Sequence, residues 1–194
     1  MSQNRSRTIA QEIRSQAFIL GGFVALMWAV ELLDTFFLRG YLDTTYGIWP
    51  RSLIGLRGIL FAPLLHGNFE HLIANTIPLI TLGWFVMLRE TSDFIWVTAI
   101  AGLVGGLGTW LTGAPNSVHI GASGLIFGYL GFLLLRGYFE RSVVSIALSL
   151  LSFMLYGSLV WGVLPNQPGI SWEGHLFGFV GGVLAARLLS RTKR

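Results

Sequence analysis

Ser123 lies in a nearly continuous apolar run, "HIGASGLIFGYLGFLLLRG", with Gly121 two positions before it and Gly124 directly after it. A serine hydroxyl alone is too weak an acid to react, and it becomes a nucleophile when a base such as imidazole lies within hydrogen-bond reach. His175, at the start of a later apolar run, is the candidate base. Ser123 can therefore react only if the fold brings these two distant segments together.

His71 and Asn75 form a second polar pair, four positions apart, which places both on one face of a helix. Both side chains can donate a hydrogen bond to the negative oxygen that develops when a hydroxyl attacks a carbonyl. The backbone N–H of Ser123, near a helix N-terminus, could add another donor. We therefore interpret His71 and Asn75 as candidate oxyanion-hole residues.

The composition shows where these residues must lie. Of the 194 residues, 53% are hydrophobic and 11% are charged, whereas a soluble domain carries about 25% charged residues. The chain therefore cannot cover itself with a hydrated surface, and it is predicted to be an integral membrane protein. A spanning helix needs about 20 mostly apolar residues. Segments of that kind predict six transmembrane helices at about 17–38, 69–88, 93–112, 120–138, 142–164 and 172–190.

The predicted fold is an all-α membrane protein with a single six-helix domain over residues 17–190. Residues 1–16 and 191–194 are expected to be cytoplasmic tails, and no cleavage site of a signal peptide follows the first tail. The longest polar-rich connection, 39–68, contains Tyr41, Tyr46 and Trp49, which are residue types typical of a membrane–water interface. We expect this first outer loop to lie on the membrane surface.

The basic residues indicate the orientation. With the N-terminus inside, ten of the thirteen Lys and Arg residues fall on the inner side, and the outer side receives only Arg39, Arg51 and Arg57. By the positive-inside rule, both termini are predicted to be cytoplasmic, and a bacterial plasma membrane is the expected location. The basic residues form no patch interleaved with aromatic residues, so nucleic acid is not a predicted partner.

With this topology, the candidate reactive side chains begin the second, fourth and sixth spans, all of which start from the outer face. They therefore converge on one depth, within about two helical turns of the outer boundary. Glycines at intervals of four on the fourth and sixth spans would let these two helices approach closely in lipid. The candidate helix-packing glycines are Gly121, Gly124, Gly128, Gly174, Gly178 and Gly182.

The motifs "HLIAN" (71–75), "GASG" (121–124) and "HLFGFVGG" (175–182), together with the flanking "LLHGNFEH", resemble those of the rhomboid family of intramembrane serine proteases. The resemblance covers about residues 55–190. It implies a six-helix rhomboid-like bundle in which Ser123 is the nucleophile and His175 the general base. It also implies that His71 and Asn75 line the oxyanion hole, and that membrane-spanning proteins are cut in or near their transmembrane segments.

The sequence departs from this family pattern at three places. The Trp-Arg pair often found in the first outer loop is interrupted here as "WPR" (49–51). Phe127 stands where many members have a tyrosine that stacks on the histidine, and Gly174 stands where alanine is common before that histidine. None of these changes removes a reacting group.

Other interpretations remain beside this one. A single membrane serine is more often a packing hydroxyl than a nucleophile, and His71 with Asn75 could simply join helices. The polar cluster could also belong to a rhomboid-like binder of membrane proteins without activity, or to a small transporter. His66 and His119 have no spacing that indicates a direct role. Glu173 is two positions from His175, so it faces elsewhere on a helix and is interpreted as a solvated loop carboxylate.

No metal site or cofactor is predicted. The chain has four histidines but no cysteine, and no carboxylate stands at a helical spacing that would complete a set of metal ligands.

Overall fold

The computed structural model describes residues 8–165 and 169–192, and the part of the chain within these ranges is helical apart from its loops and one isolated antiparallel bridge. The α-helices in these ranges are α1 (Ile9–Leu33), α2 (Tyr41–Tyr46), α3 (Gly58–Phe61), α4 (Phe69–Met87), α5 (Thr91–Thr112), α6 (Ser123–Glu140), α7 (Val143–Tyr156) and α8 (Trp172–Thr192). A π-helical turn, Asp34–Leu38, continues α1, and a 3₁₀ segment, Gly157–Val163, continues α7.

The all-helical fold agrees with the sequence prediction, and each of the six predicted spans coincides with a long helix. Among the described residues, four helical stretches are long and apolar enough to cross a membrane: Ile9–Leu38, Phe69–Met87, Thr91–Thr112 and Val143–Val163. Helices α6 and α8 are not among them, because they carry charged residues and many glycines. The membrane character of the chain is therefore clear, while the count of six spans remains a prediction.

Helix α1 begins at Ile9, eight residues before the predicted start of the first span. A capping box explains the earlier start: the Gln11 N–H donates to Thr8 Oγ1 (3.3 Å), and the Thr8 N–H donates to Gln11 Oε1 (3.0 Å). Further along α1, buried Gln16 ties this helix to the end of α4 by donating to the Met87 carbonyl. Most of the described part of the predicted N-terminal tail is therefore helical, while residues 1–7, 193 and 194 lie outside the described residues.

Helix α6 lies at the centre of the bundle, packed by α4, α5, α7 and α8. Its apolar side chains Tyr129, Leu130 and Phe132 are fully buried. Near its C-terminal end, buried Arg136 forms ion pairs of 2.8 Å with both Asp93 on α5 and Glu140 on its own helix. Pairing is what makes such a buried charge tolerable, since an unpaired ion in this position would cost several kcal/mol.

Helices α6 and α8 are in backbone contact. A Cβ atom added to Gly178 would overlap the carbonyl oxygen of Gly124, and one added to Gly182 would overlap the carbonyl oxygen of Gly128. These four glycines therefore lie where the backbones of α6 and α8 meet. Gly121 differs from them because it precedes α6 and adopts a φ of +110°, a backbone conformation that favours glycine.

The segment between α1 and α4 contains two short helices, α2 and α3, and it holds the chain that leads into α6. Ile48 and His119 exchange two backbone hydrogen bonds of 2.9 and 3.0 Å, and the Gly121 N–H donates to the Ala62 carbonyl (2.9 Å). Arg51, the arginine of the interrupted "WPR", donates to the Gly113 carbonyl at the end of α5 (2.8 Å). The approach to Ser123 is therefore fixed by the segment that precedes α4.

Replacing Gly178 with alanine tests the contact between α6 and α8. Because the new methyl group would overlap a backbone atom that cannot rotate away, we expect Gly178→Ala to destabilise the fold by about 2 kcal/mol or more. Gly21→Ala is the matched control, since a Cβ there meets nothing within 4 Å and alanine favours a helix. Thermal unfolding in detergent measures both variants, and equal melting temperatures would contradict this packing.

Candidate active site

Ser123 and His175 meet where α6 and α8 begin. Ser123 is the first residue of α6, and His175 lies in the first turn of α8. The distance between Ser123 Oγ and His175 Nε2 is 2.8 Å, which is a hydrogen bond. His175 is buried and Ser123 is partly exposed. The structure thus joins the predicted nucleophile and base, 52 residues apart in sequence.

A backbone carbonyl sets the tautomer of His175. Its Nδ1 lies 2.9 Å from the carbonyl oxygen of Gly162, which can only accept a hydrogen bond. Nδ1 must therefore carry the proton, and Nε2 presents its lone pair to the Ser123 hydroxyl. The carbonyl holds the imidazole as the aspartate does in a Ser-His-Asp triad, without a charge. The sequence analysis missed Gly162, because a backbone carbonyl leaves no residue signature.

Phe127 packs flat on the imidazole of His175, with ring centroids 4.0 Å apart and an angle of 7° between the ring planes. It is one turn along α6 from Ser123, so Ser123 and the residue that supports His175 belong to the same helix. The stacking anticipated for this aromatic position is therefore present. Together with the Gly162 carbonyl, it leaves the imidazole little freedom to rotate.

His71 and Asn75 lie near the beginning of α4, on the side that approaches the segment before Ser123. The His71 ring lies against Gly121, and a Cβ at that glycine would be 2.6 Å from His71 Cε1. Asn75 is buried, and its amide donates one hydrogen bond to the His71 carbonyl (2.9 Å). The amide nitrogen has a second hydrogen, which remains for a ligand. The structure brings this pair to the approach of Ser123, and its role in an oxyanion hole remains a prediction.

His66 is fully buried beside His71, with ring centroids 5.1 Å apart. Burial, and to a lesser extent His71, lower the pKa of His66 to about 4, so this imidazole is neutral at pH 7. Its Nε2 lies 3.5 Å from the backbone N–H of Ala122, the residue before Ser123. His66 therefore supports the turn that leads into α6, a role that its spacing in the sequence did not reveal.

A cavity of about 50 Å³ adjoins Ser123, between α5, α6, α8 and the segment before α4. Its wall is formed mainly by glycines and by small or aliphatic side chains, and Thr109, His119 and Ser171 contribute polar atoms. A space of this size with several polar partners can hold water. The site therefore combines a hydroxyl, a base that can accept its proton and an adjoining space for small groups.

Two other sequence interpretations can be compared with the structure. Glu173 is buried, with 5% of its surface exposed, so its interpretation as a solvated loop carboxylate was wrong. The reason is that it lies in the first turn of α8, which the bundle covers. Among the described residues, no group of three or more potential ligands is arranged to hold a metal ion.

Comparisons with known proteins agree on one family. A family model described as "Rhomboid domain" matches residues 55–192. An uncharacterized protein of Mycobacterium tuberculosis (strain H37Rv) is 46% identical, over 98% of this chain and 84% of its own length. An uncharacterized protein of Mycobacterium leprae is 47% identical, over 89% and 70% of the two chains. "Putative rhomboid protease YdcA" of Bacillus subtilis is 30% identical, over 80% and 75%.

Substitution of Phe127 tests whether the stacked ring keeps His175 in place. We expect Phe127→Ala to slow the labelling of Ser123 by a fluorophosphonate about tenfold, because the imidazole loses the surface that orients it. Phe127→Tyr should label at nearly the native rate, since its ring can stack in the same way. Labelling rates measured at several probe concentrations provide the comparison, and a native rate in Phe127→Ala would contradict the role of the ring.

Proposed function

The chain belongs to the rhomboid family, and from this premise we propose that it is an intramembrane serine endopeptidase that cuts membrane proteins in or near their transmembrane segments. The observation that carries the proposal is the 2.8 Å contact between Ser123 Oγ and an imidazole nitrogen whose lone pair faces it. A membrane serine that only packed helices would need no oriented base. The reaction needs no cofactor, since Ser123 and His175 together supply the nucleophile and the proton transfers.

In the first half of the reaction, Ser123 Oγ attacks the carbonyl carbon of the scissile peptide bond and its proton passes to His175 Nε2. The negative oxygen of the tetrahedral intermediate is stabilised by His71, Asn75 and backbone N–H groups at the start of α6, which have no partner within the helix. The Gly162 carbonyl, which accepts from Nδ1–H, stabilises the imidazolium that forms. His175 then gives its proton to the leaving amine nitrogen, the C–N bond breaks, and an ester on Ser123 remains.

In the second half, water attacks the ester carbonyl and gives its proton to His175 Nε2. The intermediate collapses, the C–O bond to Ser123 breaks, and His175 returns the proton to Ser123 Oγ. The reaction releases a carboxylic acid and regenerates the Ser123 hydroxyl. The cavity beside Ser123 supports this step, because it provides room for water at the reacting atoms within an otherwise apolar bundle.

The substrates we propose are transmembrane helices that unwind locally before they are cut. A peptide bond inside a helix is shielded, and its freed N–H and C=O groups must find partners when the helix opens in lipid. Small or helix-breaking residues near the cut would lower that cost. The substrate would approach past α7, because only 11% of the most apolar part of Val143–Val163 is buried in the protein, the smallest share among the four apolar stretches.

We further propose that all six long helices cross a bacterial plasma membrane, with both termini in the cytoplasm and the site open to the outer face. The lipid bilayer and the membrane-protein substrates are then the partners, and the segment between α1 and α4 lies at the outer interface. The support is the distribution of basic residues, ten of thirteen on the inner side. Ser123 and His175 both lie in first turns, which is consistent with a site near one face.

Cleavage of a single-span reporter in liposomes tests the dyad. We expect the native protein to cut the reporter, and Ser123→Ala and His175→Ala to lose at least about 10³-fold in kcat, because each removes a reacting group. Ser190→Ala is the matched control, since this serine lies at the opposite end of α8 and bonds back to the Arg187 carbonyl of its own helix. Cleavage by the Ser123→Ala variant would show that the assignment is wrong.

The same assay separates the alternatives. A rhomboid-like binder without activity would retain the reporter without cutting it, and its Ser123 would not react with a fluorophosphonate. A transporter would neither retain nor cut the reporter.

Substitution of Asn75 tests the oxyanion hole. We expect Asn75→Ala to lower kcat about 10²-fold with little change in KM, because the amide stabilises charge that exists only in the transition state. Steady-state cleavage over a range of reporter concentrations in the membrane gives both constants, and thermal unfolding checks that the variant is folded. An increase in KM with an unchanged kcat would instead place Asn75 in substrate binding.

A further inference from the structure

His119 has both ring nitrogens bonded to serine hydroxyls, although the reaction described above does not use it. Its Nε2 lies 2.7 Å from Ser117 Oγ, and its Nδ1 lies 2.6 Å from Ser171 Oγ. Ser117 precedes it in the same loop, whereas Ser171 lies 52 residues away, directly before α8. The second contact therefore joins the approach to α6 with the approach to α8.

The hydrogen bonds around His119 form a chain that connects the Ala114 carbonyl to the Gly174 N–H through Ser117, His119 and Ser171. Ser117 Oγ donates its only hydrogen to the Ala114 carbonyl (2.7 Å), so it must accept from His119 Nε2–H. Burial lowers the pKa of His119 and so favours the neutral ring, whose Nδ1 has a free lone pair to which the Ser171 hydroxyl donates. Ser171 Oγ in turn accepts from the Gly174 N–H (3.4 Å). Each group in the chain thus has the partner that its chemistry requires.

The contact between His119 and Ser171 parallels the contact between Ser123 and His175. His119 precedes Ser123 by four residues, and Ser171 precedes His175 by four residues. Ser171 also caps α8, because its carbonyl accepts from the His175 N–H (3.2 Å) in addition to the side-chain contact with Gly174. On the other side, the backbone of His119 is held by the bridge to Ile48. The two pairs therefore join the same two chain segments at two places, which are four residues apart on each segment.

We propose that His119 is a positioning residue, which holds the N-terminal end of α8 through Ser171 and thereby keeps His175 within hydrogen-bond distance of Ser123. The inference rests on the proposed function of the dyad and deepens it. This positioning role requires a hydrogen-bond acceptor at the place of His119 Nδ1, and it does not require the bond to Ser117. It therefore predicts different results for two substitutions that each keep one of the two hydrogen bonds.

Among the described residues, a charged group that faces His119 is Glu173, from the first turn of α8. Burial lowers the pKa of His119, and the Glu173 carboxylate opposes this effect less strongly. Burial thus favours the neutral imidazole, the form whose Nδ1 accepts from Ser171.

Substitution of His119 by asparagine or by glutamine keeps one of its two side-chain hydrogen bonds and removes the other. The side-chain oxygen of asparagine is as many bonds from Cβ as Nδ1 is, and the amide nitrogen of glutamine is as many bonds from Cβ as Nε2 is. His119→Asn can therefore still accept from Ser171, whereas His119→Gln can donate to Ser117 but cannot hold Ser171. Each variant loses one hydrogen bond of similar strength, so we expect their melting temperatures to be similar.

The experiment measures kcat and KM for reporter cleavage, the rate of fluorophosphonate labelling and the melting temperature. We expect His119→Gln to lose about tenfold in kcat and in labelling rate at unchanged KM, because His175 is displaced from Ser123. His119→Asn, and the matched control Ser117→Ala, should stay within about twofold of the native kcat. Such a difference between Asn and Gln at equal stability would support positioning through Ser171.

Two results would overturn the inference. If kcat falls equally in His119→Asn and His119→Gln, or follows the melting temperature across all variants, His119 only stabilises its loop. If His119→Gln cuts and labels like the native protein, the contact with Ser171 does not position the dyad, while the proposed function stands. A native protein that neither cuts the reporter nor labels at Ser123 refutes the proposed function itself, and this inference with it.

Discussion

The contact between the backbones of α6 and α8 is the constraint on which the site depends. Gly124 and Gly128 face Gly178 and Gly182 so closely that no Cβ could be added to either of the latter two without overlap. In lipid, where apolar burial gives helices no drive to associate, such close packing supplies much of their attraction. Because Ser123 and His175 lie in the first turns of these same helices, the distance that brings the glycines together also sets the 2.8 Å contact between hydroxyl and imidazole.

The imidazole of His175 is oriented by neutral groups. The Gly162 carbonyl fixes the tautomer, and the Phe127 ring fixes the plane. A carboxylate in this position would have to be desolvated inside an apolar bundle, which costs far more than burying a backbone carbonyl that keeps its hydrogen bond. The carbonyl belongs to the 3₁₀ segment that continues α7. Any displacement of this segment would therefore remove the partner that orients His175.

The features of the site that depend on particular side chains could be predicted from the sequence. The features that depend on backbone groups or on how loops pack could not. The pairing of Ser123 with His175 could be inferred, because the sequence shows both residue types and the glycine spacing of the helices that carry them. The role of Gly162 could not, since any residue offers the same carbonyl. The link from His119 to Ser171 depends on how two loops fold together, and spacing alone does not reveal it. The early start of α1 was missed although Thr8 and Gln11 form a capping box, because the apolar run used to define the span begins later.

The ionic cluster that joins α5 and α6 lies far from Ser123 along α6. Arg136, Asp93 and Glu140 form a buried ionic cluster near the C-terminal end of that helix, while Ser123 begins it. Seventeen residues of helix correspond to about 25 Å, so the cluster and the dyad lie at opposite ends of the bundle. An imidazole must be neutral to accept a proton, and a nearby carboxylate would favour its protonated form. The buried carboxylate at this end of α8, Glu173, is two positions from His175, so it lies on another side of the helix, where it faces His119. The proposed base is therefore oriented by the Gly162 carbonyl and the Phe127 ring, while Arg136, Asp93 and Glu140 hold α5 and α6 together at the other end of the bundle.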